Sequence, residues 1–168
     1  MDTKELKAFI LEASKNTYAS ENKNIRQIQE DKSTTITYEK DDWRYHDNYF
    51  GGEPYGGREV VFYKDQPVWI MVYYGWVVKG NNPNDVYGIL AKALRNAPSD
   101  MPYRGPKELI DGDCRYVNIL NGEVENFNGE EKIYKGDTLI YCAKYIGGLV
   151  DQKEWMDDIG IEPMTFAM

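Results

Sequence analysis

Residues 43–75 read WRYHDNYFGGEPYGGREVVFYKDQPVWIMVYYG and contain three strand patterns in succession. Side chains alternate between the two faces of a strand, so residues 43–50 divide into an aromatic face and a polar face. The aromatic face, which we expect to pack inward, comprises Trp43, Tyr45, Asp47 and Tyr49. The other face comprises Arg44, His46, Asn48 and Phe50. A buried carboxylate is costly without partners, so Asp47 should be hydrogen-bonded.

Two further strands follow within this stretch. A glycine-rich link around Pro54 leads to a strand over residues 59–63, and residues 64–66 form a hairpin turn. The run 68–74 is apolar on both of its faces, which predicts a central strand that is covered on both sides.

The flanking sequence extends this sheet and adds two helices. Apolar residues at helical spacing predict a helix over residues 3–15, followed by a polar loop over 16–33, and a second helix over 85–96. Asn-Gly and Gly-Asp pairs are hairpin signals. One further strand is predicted at residues 34–38. Later in the chain, these pairs separate predicted strands at 114–120, 123–127, 131–134 and 138–145. The expected fold class is α+β: a mainly antiparallel curved sheet of about seven or eight strands in a meander, with two helices packed on it.

A chain of 168 residues predicts a single domain. Within it, residues 1–33 would form the helix and polar loop, and residues 34–150 the sheet core with its helix near 85–96. Residues 151–168 would form a C-terminal tail that starts with a short helix carrying Trp155.

The charge and cysteine content limit the compartment and the partners. The N-terminus lacks a signal-peptide core and no apolar run approaches about 20 residues, which predicts a cytoplasmic protein without a membrane span. Cys114 and Cys142 should be buried free thiols. The net charge of −8 disfavours direct DNA or RNA binding and suits a basic protein partner. No metal or cofactor is expected, and the sequence carries no signal for an oligomeric state.

Catalytic candidates are few, because the phosphate-loop, dinucleotide and metalloprotease motifs are missing. His46 is the only histidine and can act as a general acid or base. Arg58, Glu59 and Tyr74 complete the candidate set, with arginine binding an anion and glutamate serving as a base. The alternatives are structural: a surface histidine, an Arg58–Glu59 ion pair that closes the loop, and tyrosine packing in the core.

Binding candidates come from the aromatic and acidic residues. They comprise Arg44, Tyr45, Asp47, Tyr49, Tyr73, Glu123 and Glu125. On a meander, the acidic residues between 111 and 131 would form one negative surface that mimics phosphates toward a basic nucleic-acid enzyme; the alternative is a solvated face.

Three blocks of sequence carry a family resemblance. They lie at residues 9–19, at 45–52 with 57–61, and at 67–75, with a late echo at 147–150. Together they resemble an uncharacterised bacterial and phage domain family that is often fused C-terminally to Cro/repressor-type helix-turn-helix regulators. The resemblance implies a stand-alone copy of the sensing or interaction half, with a link to mobile elements, and implies no activity.

Three functional hypotheses follow, in order of preference. The first is a small acidic protein-binding module without enzymatic activity. It would inhibit or regulate a basic nucleic-acid-handling enzyme, as anti-CRISPR proteins do. The second is a metal-independent hydrolase or ribonuclease that uses His46. The third is a small-molecule sensor with Tyr49, Arg58 and Tyr74 lining its pocket.

Overall fold

The computed structural model describes residues 2–17 and 25–150. These ranges contain two helices, α1 (Thr3–Asn16) and α2 (Pro83–Arg95). They also contain nine strands: β1 (Gln27–Ile28), β2 (Thr34–Lys40), β3 (Trp43–Gly51), β4 (Tyr55–Tyr63), β5 (Gln66–Val77), β6 (Glu108–Asp111), β7 (Cys114–Glu123), β8 (Asn126–Lys135) and β9 (Thr138–Leu149).

All nine strands form one antiparallel sheet in the order β1-β2-β3-β4-β5-β9-β8-β7-β6. The first five strands are a meander. The chain then crosses through α2 to the far edge at β6 and returns strand by strand to β9, which pairs with β5. The predicted α+β class, the antiparallel meander and the two helices are confirmed.

Both helices begin at the residues that their caps dictate and pack on the same face of the sheet. The Asp2 carboxylate accepts a hydrogen bond from the Lys4 backbone N–H at 2.9 Å, and the Asn82 side chain accepts one from the Asn84 N–H at 3.1 Å. The buried stripes of α1 and α2 join two apolar clusters with the inward side chains of the strands. We call the side of the sheet that carries the helices the inner face, and the opposite side the open face.

The central strand β5 is covered on one side, so the prediction that both of its faces are buried is wrong. Met71 and Tyr73 point to the inner face and are buried, whereas Val72 and Tyr74 point to the open face and are exposed. Because both helices pack on the inner face, none of the described helices covers the other side.

Two glycine-containing segments that predicted a link or a turn between strands lie inside strands instead. Gly56 and Gly57 lie inside β4 rather than in a link, and a Cβ on Gly57 would come within 2.7 Å of the Tyr73 hydroxyl. Asn128-Gly129 lies inside β8 rather than at a turn, so residues 126–127 of the predicted strand 123–127 belong to the same strand as residues 131–134. Glu123 instead ends β7, and the turn lies at residues 124–125. A Cβ on Gly129 would overlap the Tyr145 ring. These glycines therefore make room for tyrosines rather than for turns.

Other predictions have mixed outcomes. Of the turn predicted at residues 64–66, residues 64 and 65 form it, with positive φ angles of 49° and 63°, and Gln66 begins β5. Cys114 and Cys142 are buried free thiols. The short strands β1 and β6 were not predicted. The tail with Trp155 lies outside the described residues, and the single-domain assignment stays a prediction. Neither α1 nor α2 is long and apolar enough to cross a membrane.

Candidate functional site

The structure divides the catalytic candidates between the two faces of the sheet. Arg58 and Glu59 are consecutive in β4, so Arg58 is exposed on the open face and Glu59 is buried on the inner face. The predicted ion pair between them is therefore wrong. His46 and Tyr74 share the open face with Arg58, whereas Glu59 lies on the other side of the sheet.

His46 and Arg58 do lie close enough to interact. Partial burial lowers the pKa of His46, and the charges of Arg58 and Arg44 lower it further. An imidazole with a lowered pKa is neutral near pH 7.

The inner face carries a group of buried polar residues, which we call the inner cluster: Asp47, Glu59, Tyr73, Arg104, Tyr116 and Glu131. The Tyr73 hydroxyl donates to Asp47 Oδ1 at 2.6 Å. Arg104 Nη2 donates to Glu131 Oε2 at 2.5 Å, and the Tyr116 hydroxyl donates to the other oxygen of Glu131. The expected inward face of β3 and a hydrogen-bonded Asp47 are thus confirmed.

Strand register and one long connection assemble this cluster. Asp47 in β3 stands directly opposite Glu59 in β4, which brings two carboxyl groups together. Arg104 comes from the segment between α2 and β6 and reaches into the curved sheet. Its guanidinium lies 5.8 Å from the Tyr73 ring centre and 6.0 Å from that of Tyr145.

The two adjacent carboxyl groups hold protons more tightly than usual. Burial raises the pKa of Glu59 to about 8, and the nearby Asp47 charge adds to this effect, while Arg104 and Tyr45 act against it. Burial also raises the pKa of Asp47 to about 6, although the Tyr73 hydrogen bond and Arg104 lower it. Two like charges in a dry interior repel each other, so the pair retains a proton at neutral pH.

The inner cluster has acid-base groups but is enclosed. Glu59, Arg104 and Glu131 are at most 5% exposed, so they have almost no contact with solvent. Among the described residues no group of three or more His, Cys, Asp or Glu side chains is placed to hold a metal ion. In this state the cluster joins β3, β4 and β5 to the later strands.

The open face shows the opposite character, because its centre is apolar and exposed. Val72, Tyr74 and Ile146 are 48%, 53% and 60% exposed, and the Tyr74 and Trp76 rings lie 6.0 Å apart. Phe50 lies in the same cross-strand row as Tyr74 and is also exposed. We call these five residues the open-face patch.

The acidic residues between 111 and 131 do not form one surface, so that prediction is wrong. Asp111 and Glu123 stand at opposite ends of the β6–β7 hairpin, about 30 Å apart along the strand direction. Glu131 is fully buried. Glu130 is bound by Lys132 at 2.6 Å, and Glu123 lies 3.4 Å from Lys7. Because some of these carboxylates pair with lysines and one is buried, the acidic residues do not form a continuous negative surface.

The other binding candidates also separate. Arg44 lies on the open face with its guanidinium 3.8 Å from the Phe62 ring centre, whereas Tyr45 and Tyr49 point to the inner face. Glu125 lies in the β7–β8 turn, where its carbonyl accepts a hydrogen bond from Leu149 N–H at 3.0 Å. The candidates therefore do not form one binding site.

Sequence reasoning missed Arg104 and the special position of Glu131. One signal was present for Glu131, because it falls in the alternating inward series of β8 between Phe127 and Ile133. An acidic residue at an apolar position of a strand indicates a buried partner. For Arg104, which comes from an irregular segment, no periodic signal was available.

Two clefts open beside α1, with volumes of about 600 Å³ and about 400 Å³. Lysines and acidic residues of α1 line the first, and residues around the β2–β3 turn line the second. None of Tyr49, Arg58 and Tyr74 lines either cleft. Neither cleft therefore coincides with the pocket that the small-molecule sensor hypothesis predicts.

Comparison with known protein families gives a match over most of the sheet. The model of a family described as Domain of unknown function (DUF5680) matches residues 47–150. This range includes the whole inner cluster and the whole open-face patch, and it leaves out α1. No curated protein and no solved structure matches the chain.

Proposed function

The chain belongs to the DUF5680 family of domains of unknown function, and we propose that it is a protein-binding module that docks its partner on the open-face patch. The observation that carries the proposal is the exposure of Val72, Tyr74 and Ile146 at the centre of the sheet. Central strands normally bury such residues, and contiguous exposed apolar patches mark interaction sites.

The energetics favour a covered state of this face. Full burial of a large apolar side chain contributes roughly 1.5–3 kcal/mol, and about half of that remains to be gained for side chains that are about half exposed. The five residues of the open-face patch together supply the apolar centre of an interface, and the aromatic members are of the types that dominate binding energy. Arg58, Lys144 and the neutral His46 supply polar surroundings.

The enzymatic alternative has weaker support. His46, Arg58 and Tyr74 stand on the open face, where Arg58 and Tyr74 are exposed, whereas the buried carboxyl groups lie on the other side of the sheet. Catalysis needs reacting groups that converge on one enclosed point. A binding module that regulates its partner by occupying a surface needs no such convergence.

The nature of the regulated partner stays a prediction. The link to mobile elements comes from the family resemblance in the sequence, and inhibition of a nucleic-acid enzyme is an analogy from the small size and acidic charge of the chain. The expected basic partner comes from the net charge of −8. The two cations that flank the open-face patch, Arg58 and Lys144, favour a partner with an acidic docking segment instead.

The test is site-specific photo-crosslinking in the producing cells, followed by reconstitution. A benzophenone amino acid replaces Tyr74 in one variant and Glu5 in the control variant, because Glu5 is exposed on α1, across the sheet from the patch. We expect a protein that crosslinks at position 74 and not at position 5. The purified partner should then bind the wild-type chain about tenfold or more tightly than the Val72→Ser and Ile146→Ser variants.

Two results would overturn the proposal. One is a purified partner whose affinity is the same for wild type and both serine variants. The other is equal crosslinking at positions 74 and 5. Because Val72 and Ile146 are exposed, the serine variants should keep the wild-type fold, which circular dichroism checks.

A further inference from the structure

The charge of the open face differs in sign from that of the whole chain. The net charge is −8, yet the only acidic residue in β4, β5 and β9 is Glu59, which points to the inner face. The open face of these three strands carries two cations, Arg58 and Lys144, and both are exposed. The centre of the sheet therefore offers a positive surface on an acidic protein.

Strand register places the two cations on either side of the apolar centre. One cross-strand row contains Arg58, Val72 and Ile146, and the next contains Tyr74 and Lys144. Arg58 and Lys144 are two strands and two residues apart, so their Cα atoms are separated by about 12 Å. Val72 and Tyr74 lie between them.

Both cations are available to a partner. Arg58 forms no salt bridge within the described ranges, and its charge is felt by His46, whose pKa it lowers after the larger effect of burial. Lys144 stands opposite Glu130 in β8, but Glu130 is already bound by Lys132 at 2.6 Å. Among the described residues neither Arg58 nor Lys144 therefore forms a salt bridge, although the charge of Lys144 helps to lower the pKa of Glu130.

Building on the proposed function, we infer that the partner is a protein that docks an acidic, apolar segment on this face. Its apolar side chains cover Val72, Tyr74 and Ile146. Two of its carboxylates, about 12 Å apart, pair with Arg58 and Lys144. Burial of the apolar centre excludes water from the flanking ion pairs, which strengthens them relative to exposed pairs.

Other occupants fit these charges less well. A second copy of the chain would bring Arg58 and Lys144 against the same cations, and like charges at an interface oppose binding. A nucleic acid would meet only two cations on a chain with a net charge of −8, and phosphate backbones bind through larger basic surfaces. A short acidic segment needs only the two pairs.

The experiment uses the full chain and two synthetic peptides of about twelve residues. The peptides share alternating apolar residues; the intervening residues are glutamates in the first peptide and lysines in the second. Fluorescence anisotropy measures the binding of each labelled peptide. The test protein is the double variant Arg58→Glu, Lys144→Glu.

A second double variant, Lys64→Glu, Lys135→Glu, is the matched control. It changes the net charge by the same amount through two exposed lysines, one in the β4–β5 turn and one at the end of β8, whose side chains are 61% and 62% exposed. The control therefore separates an effect of the open face from an effect of total charge.

We expect the glutamate peptide to bind the wild-type chain and the control at least about tenfold more tightly than the test variant. The test variant should prefer the lysine peptide. Raising the ionic strength from about 0.1 M to about 0.5 M should weaken the glutamate complex, because salt screens the two pairs.

Three outcomes would overturn this inference. If both peptides bind equally and only Val72→Ser weakens them, the partner is apolar without being acidic, and the proposed docking face stands. If neither peptide binds, the acidic segment is rejected, while the crosslinking experiment still decides the docking face. If a labelled oligouridylate binds and the test variant abolishes that binding, the occupant is a nucleic acid and both proposals fail.

Discussion

Tyr73 and Tyr74 are neighbours in β5, yet they belong to two different environments. Tyr73 is 8% exposed and donates a hydrogen bond to the buried Asp47, whereas Tyr74 is 53% exposed and lies beside Trp76. The same contrast separates Arg104, which is buried against Glu131, from the exposed Arg58. One face of the sheet uses polar groups to hold the fold, and the other presents apolar groups to the surroundings.

The two arginines test this contrast with the largest expected effect. Arg104→Met leaves the buried Glu131 without its cation and should lower the free energy of unfolding by about 3–5 kcal/mol. Arg58→Met removes an exposed charge and should change it by less than about 0.5 kcal/mol. Urea denaturation followed by circular dichroism measures both. Equal effects of the two variants would mean that the inner cluster does not stabilise the fold.

The pH dependence of stability comes next. Glu59 has a folded-state pKa of about 8 against an ordinary value of 4.5, so its protonated form stabilises the fold. That stabilisation is complete below about pH 4.5 and is lost as the pH rises through about 8. Asp47, with a folded-state pKa of about 6 against 3.8, contributes in the same direction at lower pH.

We therefore expect the free energy of unfolding to fall by a few kcal/mol between about pH 5 and pH 8.5. The Glu59→Gln variant, which keeps the shape and cannot ionise, should show a much smaller fall over this range. Denaturant titrations at the two pH values provide the measurement. A steep pH dependence that persists in Glu59→Gln would assign it to other groups.

The two tyrosines test the same contrast between the faces, with a smaller expected effect on stability. Tyr73→Phe removes the 2.6 Å hydrogen bond to Asp47 and should cost about 1–3 kcal/mol, because the carboxyl group stays buried. Tyr74→Phe should have no measurable effect on stability, since the hydroxyl of Tyr74 lies on the exposed face. Thermal or urea unfolding of the two variants side by side distinguishes them, and identical values would contradict the assignment of faces.

Much of the fold was predictable because it depends on short-range patterns. The alternation along β3 predicted that Tyr45 and Asp47 point inward, and Asp47 has the hydrogen bond that its burial required. The caps and apolar stripes of both helices were visible in the sequence. Glycines were ambiguous, since Gly57 and Gly129 look like turn residues but instead admit the side chains of Tyr73 and Tyr145.

The candidate site was less predictable, for a physical reason. Arg58 and Glu59 are adjacent in sequence, and their assignment to one ion pair ignored the alternation that sends them to opposite faces. The acidic residues between 111 and 131 form one tract in the sequence, but their ion pairs and the burial of Glu131 depend on lysines and an arginine from distant segments.

The sequence alone therefore determined the helices, most strands, the antiparallel class and the inward face of β3, because neighbours within a few residues set them. It did not determine which side of the sheet the helices cover. That depends on the pairing of β5 with β9 and on the path of the chain through α2, which are contacts between residues about seventy positions apart. Those contacts bury Glu59 and Glu131, and they leave Val72, Tyr74 and Ile146 exposed.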